Sequence, residues 1–191
     1  MLMSDYPDVG DIMLTRMPGK YLGRRILWYT RARGERPSRA GHAGVFADEA
    51  TVQEALARGV VRTRWTARRE QIEQDGGEWA IYTRQRPIMP YQRPILAQLL
   101  KRHLGAKYAW GELPLCALDG LLGKLLGREP IFFRRLGALL PGTVICSKLV
   151  GLVLRSLGWV PPACEWWTPD DLADYLDAGH GWQIRIASEN W

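Results

Sequence analysis

Cysteine and histidine are scarce in this chain, which has three of each: Cys116, Cys146 and Cys164, and His42, His103 and His180. An odd number of widely spaced cysteines, with no Cys-x-x-Cys pair, excludes a disulfide framework and shows no zinc-site pattern, so no metal or other cofactor is expected. Also lacking is any stretch near the ~18 consecutive apolar residues that span a membrane. The opening Met1-Leu2-Met3-Ser4-Asp5-Tyr6-Pro7-Asp8 has neither the basic start nor the apolar centre of a secretory leader. The expectation is a soluble chain, cytoplasmic as synthesised, without a transmembrane segment. Internal repeats and low-complexity tracts are absent, as are helix-turn-helix, zinc-finger and RNP-type signatures, so specific nucleic-acid reading is not expected.

What the sequence does hold is enough apolar material for one core. With 191 residues, 47% hydrophobic and 24% charged, residues 1–191 are expected to form a single domain that buries roughly 70% of its unfolded surface. The formal charge is +6. It comes mainly from arginines scattered as Arg24-Arg25, Arg31 and Arg33, Arg68-Arg69, Arg84 and Arg86, and Arg134-Arg135. That scatter reads as a solvated basic surface rather than as one anion-binding segment.

In order, residues 10–15 read as a strand, residues 21–31 as a short amphipathic helix and residues 31–39 as an Arg- and Gly-rich loop. Residues 38–46 and 51–55 form two strands joined by a turn, and 59–63 continue in extended form. Residues 64–76 are a polar helix and 79–84 an alternating strand. Residues 91–104 place Ile95, Leu96, Leu99, Leu100 and Leu104 at helical spacing. Residues 113–140 carry leucines that suggest two amphipathic helices broken near Gly127-Arg128-Glu129-Pro130, with Cys116 as an apolar filler. Thr168-Pro169-Asp170-Asp171 starts a last helix, with an N-cap Thr and Pro at the first helical position, and residues 182–186 close as a strand.

Two positions carry chemistry. Cys146 follows the β-branched Val144-Ile145 and opens the apolar stretch 149–157, a mostly buried helix stopped by Gly158. At a helix N-terminus, unpaired N–H groups and the dipole favour thiolate over thiol. The plainer reading is a small buried hydrophobe. His42 lies on a strand between Gly41 and Gly44, two glycines that leave room for a substrate backbone to approach; His103 reads as a surface residue and His180 as a loop residue.

Gly10-Asp11, Ser38 to Phe46 with His42, Glu54-Ala55 followed by Gly59-Val60, Leu104-Gly105-Ala106-Lys107-Tyr108, Ile145 to Val150 and Thr168 to Leu172 together form a set. It resembles the circularly permuted papain-like hydrolases of the NlpC superfamily, the YiiX/YaeF-like group, in which the cysteine helix follows the Gly-Asp and His strands. The resemblance implies an α+β, permuted papain-like (NlpC-type) fold, with an antiparallel sheet packed against a buried helix that bears the cysteine at its N-terminus. It implies Cys146 as nucleophile, His42 as general base and Glu54 as the group that orients the imidazole; Gln53 and Asp48 stay open for that last role, because the hairpin register is not legible. Tyr108, Gly41, Gly44 and Ser147 are the implied substrate-binding positions, and the Cys146 N–H the first oxyanion donor. Two departures stand out: Lys107-Tyr108-Ala109 replaces a common Pro-Tyr-Asp, and Lys148 stands where an acid commonly follows Cys-Ser.

Three functions follow. The first is a cysteine peptidase or amidase that cleaves a peptide bond through a thioester, with bacterial cell-wall peptide (peptidoglycan) the leading substrate; delivery in a phage particle or secretion assembly would then bring it to the wall. The second uses the same Cys–His pair for acyl transfer or lipid-ester and thioester cleavage, as in the lecithin:retinol acyltransferase-like group. The third is a non-catalytic module of a phage tail or secretion assembly, docking a protein partner through the leucine-rich insertion at 113–140 and some of the nine tryptophans.

Overall fold

The computed structural model describes residues 6–17, 40–111, 114–115, 118–119, 121–122, 125, 143–160 and 167–191. Strands β1 (Ile12–Arg16), β2 (His42–Asp48), β3 (Thr51–Leu56) and β4 (Gly59–Arg64) are followed by helix α1 (Trp65–Gln74), strand β5 (Glu78–Arg84) and helix α2 (Gln92–His103). The short strands β6 (Lys107–Tyr108) and β7 (Thr143–Val144) then lead into α3 (Cys146–Ser156), α4 (Pro169–Asp177) and β8 (Trp182–Ala187). The class is α+β, as the motif resemblance implies. The expected helix at 21–31, the loop at 31–39, Cys116, Cys164 and the break at 127–130 lie outside the described residues. The positions described within 114–125 are helical.

Six strands form one antiparallel sheet in the order β4-β3-β2-β1-β5-β8. Successive strand residues face opposite ways, and here both faces are covered. Ile12, Leu14, Ala43, Val45, Ala80 and Tyr82 pack with Leu96 and Leu100 of α2, Val150, Val153 and Leu154 of α3, and Leu172 and Leu176 of α4. Met13, Phe46, Val52, Trp79 and Ile81 turn the other way, onto Trp65 and Ile72 of α1. This is why Ile12-Met13-Leu14 reads as an unbroken apolar run: each of the three is needed inside.

Helix α3 lies on β2 and β3 and buries Leu149, Val150, Val153 and Leu154 completely. Fully burying one such side chain is worth about 1.5–3 kcal/mol before ordering costs, so docking of α3 is strongly driven. Buried amides fix its surroundings: Gln53 Nε2 donates to the Leu100 carbonyl (2.8 Å) and Gln92 Nε2 to the Leu157 carbonyl (3.0 Å), which ties α2 to both β3 and the end of α3. Thr168 caps α4 in a reciprocal capping box with Asp171, as Thr-Pro-Asp-Asp implies. The parallel pairing of β6 with β7, Tyr108 opposite Val144, was not expected from the sequence; two-residue strands have no periodicity to read. It sets the approach of the chain into Cys146. Among the described residues no helix is long and apolar enough to cross a membrane.

Candidate active site

His42 opens β2 opposite Thr15 of β1. Two residues on, Gly44 pairs with Glu54 of β3. Residues two apart on a strand share a face, and so do direct cross-strand partners, which places His42 and Glu54 on one face with a side-chain-free glycine beside both. Their side chains meet: His42 Nε2 lies 2.7 Å from Glu54 Oε2. The other carboxylate oxygen, Oε1, accepts from Arg68 Nε of α1, also at 2.7 Å. Glu54 is 0% exposed, Arg68 9% and His42 16%.

Burial alone would raise the Glu54 carboxyl. The His42 hydrogen bond and charge, together with the Arg68 guanidinium, more than reverse this and hold it below its ordinary value.

Cys146 is the first residue of α3. Ile145 before it is extended (φ −95°, ψ 165°) and makes no side-chain cap, which leaves the Ser147 N–H of the first turn to the sulfur. The thiol is free and buried. Burial pushes it up, but the His42 charge and hydrogen bond and the backbone N–H groups of Ala43 and Ser147 outweigh burial and hold the thiol below its ordinary value. His42 shows the reciprocal effect. Burial pushes the imidazolium down, yet the Cys146 sulfur and then Glu54 carry it up to about 9. With Nε2 on Glu54, Nδ1 is the nitrogen left for the sulfur. The arrangement therefore favours the charged forms of Cys146, His42 and Glu54 together, with the Arg68 guanidinium at the end of the line.

No family model matches the chain, and no curated protein does. Among solved structures, the metalloprotein yiiX from Escherichia coli O157:H7 aligns with a TM-score of 0.53 at 19% identity, over 80% of this chain and 68% of that one. The two share a fold. At that identity the likeness to yiiX speaks for the fold alone; yiiX falls in the YiiX/YaeF-like group that the sequence motifs resemble.

Of the three residues open for orienting His42, Glu54 is the one in contact with it. Asp48 is exposed and serves the β2–β3 turn, accepting from Ala50 N–H and Thr51 Oγ1. Gln53 points to the opposite face, where it bonds Leu100 and Arg62. The expectation for Gly44 needs correction. A Cβ there would stand 2.9 Å from Val52 Cγ2 and 3.1 Å from Met13 Cε, so the space beside this glycine is filled by core and not open to a substrate. Ser147 is buried too, and what it offers the site is its N–H rather than its hydroxyl. Tyr108 packs against the cluster of Ala55, Val60, Val144, Cys146 and Leu149, beside the thiol, and Gly41 is half-buried next to His42.

Arg68 was not singled out from the sequence, although a signal for it exists. Trp65, Arg68 and Ile72 are the buried residues of α1, at the i, i+3, i+7 spacing of one helical face. An arginine between two apolar residues of a buried stripe must find an acid.

Proposed function

We propose that this chain is a cysteine hydrolase of permuted papain-like architecture that cleaves an amide, with Cys146 as nucleophile, His42 as acid and base, and Glu54 orienting the ring. The observation that carries this reading is the bonded line Cys146–His42–Glu54–Arg68 with the sulfur at a helix N-terminus. In the first half-reaction the thiolate bonds to the carbonyl carbon, the C–N bond breaks, and His42 gives its proton to the departing amine. Water then attacks the thioester, His42 takes its proton, and the thiolate leaves to restore the ion pair. A Glu54 fixed on both oxygens keeps the ring in one tautomer throughout. Peptide bonds, with bacterial cell-wall peptides first among them, are the substrate class that the motif resemblance supports.

The neighbour's description as a metalloprotein raises the question of a metal here. The donor set does not suit one: both Glu54 oxygens are committed, one of them to a guanidinium, and among the described residues no three His, Cys, Asp or Glu side chains gather.

A second reading, ester or thioester acyl transfer by the same pair, is favoured by one observation. Trp110, Leu118, Leu121 and Leu125, in the stretch that precedes the cysteine helix, expose 43–70% of their surface, which suits an acyl chain.

The test is alkylation of Cys146 as a function of pH, read by mass spectrometry in the native chain and in His42→Ala, followed by turnover of peptide, short-chain thioester and phospholipid substrates with Cys146→Ala as blank. Rapid alkylation well below the ordinary thiol midpoint of ~8.5, lost in His42→Ala, with peptide turnover, is the expected result. A sluggish Cys146 indifferent to His42 would overturn the enzyme reading in favour of a binding module. Turnover of esters without peptides would select the second reading.

A further inference from the structure

At the opposite end of β1 from His42 the described residues enclose a cavity of about 130 Å³. Gly10 and Asp11, which precede Ile12, line it, whereas Thr15 is the residue opposite His42. At about 3.3 Å per strand residue the two regions are more than ~10 Å apart. Four arginines line the cavity: Arg84, Arg86, Arg93 and Arg185.

Arg185 is committed. It donates to Asp8 (2.5 Å), the Tyr6 carbonyl (2.6 Å) and Thr83 (3.2 Å), and pairs with Asp11 at 3.3 Å. Asp11 also accepts from the Asp8 backbone N–H, so both aspartates are turned toward Arg185 and its surroundings rather than toward the other three arginines. Against Arg84, Arg86 and Arg93 there remains a single lining acid, Glu49, exposed on the β2–β3 turn. None of these three arginines makes an ion pair among the described residues.

Arg84 lies against two indole rings. Its guanidinium lies 4.7 Å from the Trp159 ring centroid and 5.8 Å from that of Trp182, and the two indoles fix its plane. Its Nε is buried and has no hydrogen-bond partner. Burial, with Arg86 adding to it, pushes the guanidinium below its ordinary value. A buried donor left unpaired is costly and demands an acceptor.

We infer that this cavity binds a small phosphoryl anion, with Arg84 as the fixed guanidinium and Arg86 and Arg93 closing on it from the rim. Four arginines against Asp8, Asp11 and Glu49 leave the lining net positive, with the positive charge gathered on Arg84, Arg86 and Arg93 away from the Arg185 group; several guanidinium forks suit the three or more oxygens of a phosphoryl group better than the two of a carboxylate. Guanidinium forks match phosphate oxygens in pairs. The oxyanion chemistry is the same for the free ion and for a phosphomonoester, and two probes separate them.

The experiment is titration of the full chain with inorganic phosphate and, separately, with glycerol phosphate, at constant ionic strength, read by calorimetry and by the fluorescence of the tryptophans flanking Arg84. Saturable binding is expected, weakened at least about tenfold in Arg84→Gln and in Arg93→Gln. Arg93 is exposed, so Arg93→Gln keeps the fold and decides the matter if Arg84→Gln does not fold. Tighter binding of glycerol phosphate assigns a phosphomonoester, and tighter binding of inorganic phosphate assigns the free ion. Absence of saturation, or binding unchanged in Arg93→Gln, overturns the inference. Cys146 chemistry enters neither readout.

Discussion

Arg68→Met tests whether the buried carboxylate depends on two cations. In the native chain Glu54 is wholly buried, with one oxygen on His42 and the other on Arg68. Methionine keeps much of the arginine stem's packing but leaves Glu54 Oε1 without a donor. Breaking a buried ion pair by removing one partner costs about 3–5 kcal/mol; because His42 still holds Oε2, the expected loss lies at the lower end, ~3 kcal/mol. With a urea dependence of ~2 kcal/mol per molar, the unfolding midpoint, followed by tryptophan fluorescence near pH ~7, drops by about 1.5 M. Arg69→Met is the control. Arg69 pairs with Glu73 where both side chains are nearly half exposed, so its removal changes stability by less than ~0.5 kcal/mol.

The pH dependence identifies the cause. The Glu54 carboxyl is held below its ordinary value, so its contribution is present above the unfolded-state carboxyl value and fades as pH falls through the folded value. The difference between native and Arg68→Met must therefore narrow in acid. A gap independent of pH, or one no larger than that of Arg69→Met, would refute the charged line and leave Arg68 as packing.

Three further outcomes follow from the same geometry. His42 is raised to about 9, so its stabilising charge is fully present below the ordinary imidazole value and lost as pH rises through about 9; the proposed hydrolysis, which needs that proton for the leaving group, should fall on an alkaline limb there, and Glu54→Gln should move the limb to lower pH in a pH–rate profile. Gly44→Ala forces a Cβ against Val52 Cγ2 and Met13 Cε and should cost roughly 1–3 kcal/mol of stability in urea unfolding, while Gly41→Ala, at a half-buried position, should cost clearly less. Thr168→Ala removes the side-chain half of the α4 capping box and should lower stability by about 0.5–2 kcal/mol, with Cys146 alkylation unchanged.

The sequence was legible where one period governs a long segment. The run 149–157 could be assigned to a buried helix because its apolar residues leave little polar surface, and the cysteine before it then had to stand at the N-terminus. The contact between His42 and Glu54 was implied by the motif resemblance, while the residues themselves left Gln53 and Asp48 open beside Glu54 for a definite reason. The β2–β3 ladder shifts register between Phe46 and Asp48, so counting outward from the turn does not give the partner of His42. Gly44 was misread because a glycine that makes way for core atoms and one that makes way for a substrate look alike in one dimension. Arg68 was hidden among the charged residues of α1, where Arg69 beside it is exposed and only the third dimension tells them apart.

In chain order, His42, Glu54 and Arg68 all come before Cys146, as do five of the six strands of the sheet. During synthesis the N-terminal part emerges first, and contacts between distant parts of the chain close late. The strands that carry His42 and Glu54, and the helix that carries Arg68, thus exist before Cys146 has been made. Until α3 docks, Cys146 is an ordinary thiol, since the N–H groups and the imidazolium that ionise it belong to the folded state. The depressed thiol of Cys146 is then acquired in the closing event of folding, and an unfolded copy lacks it.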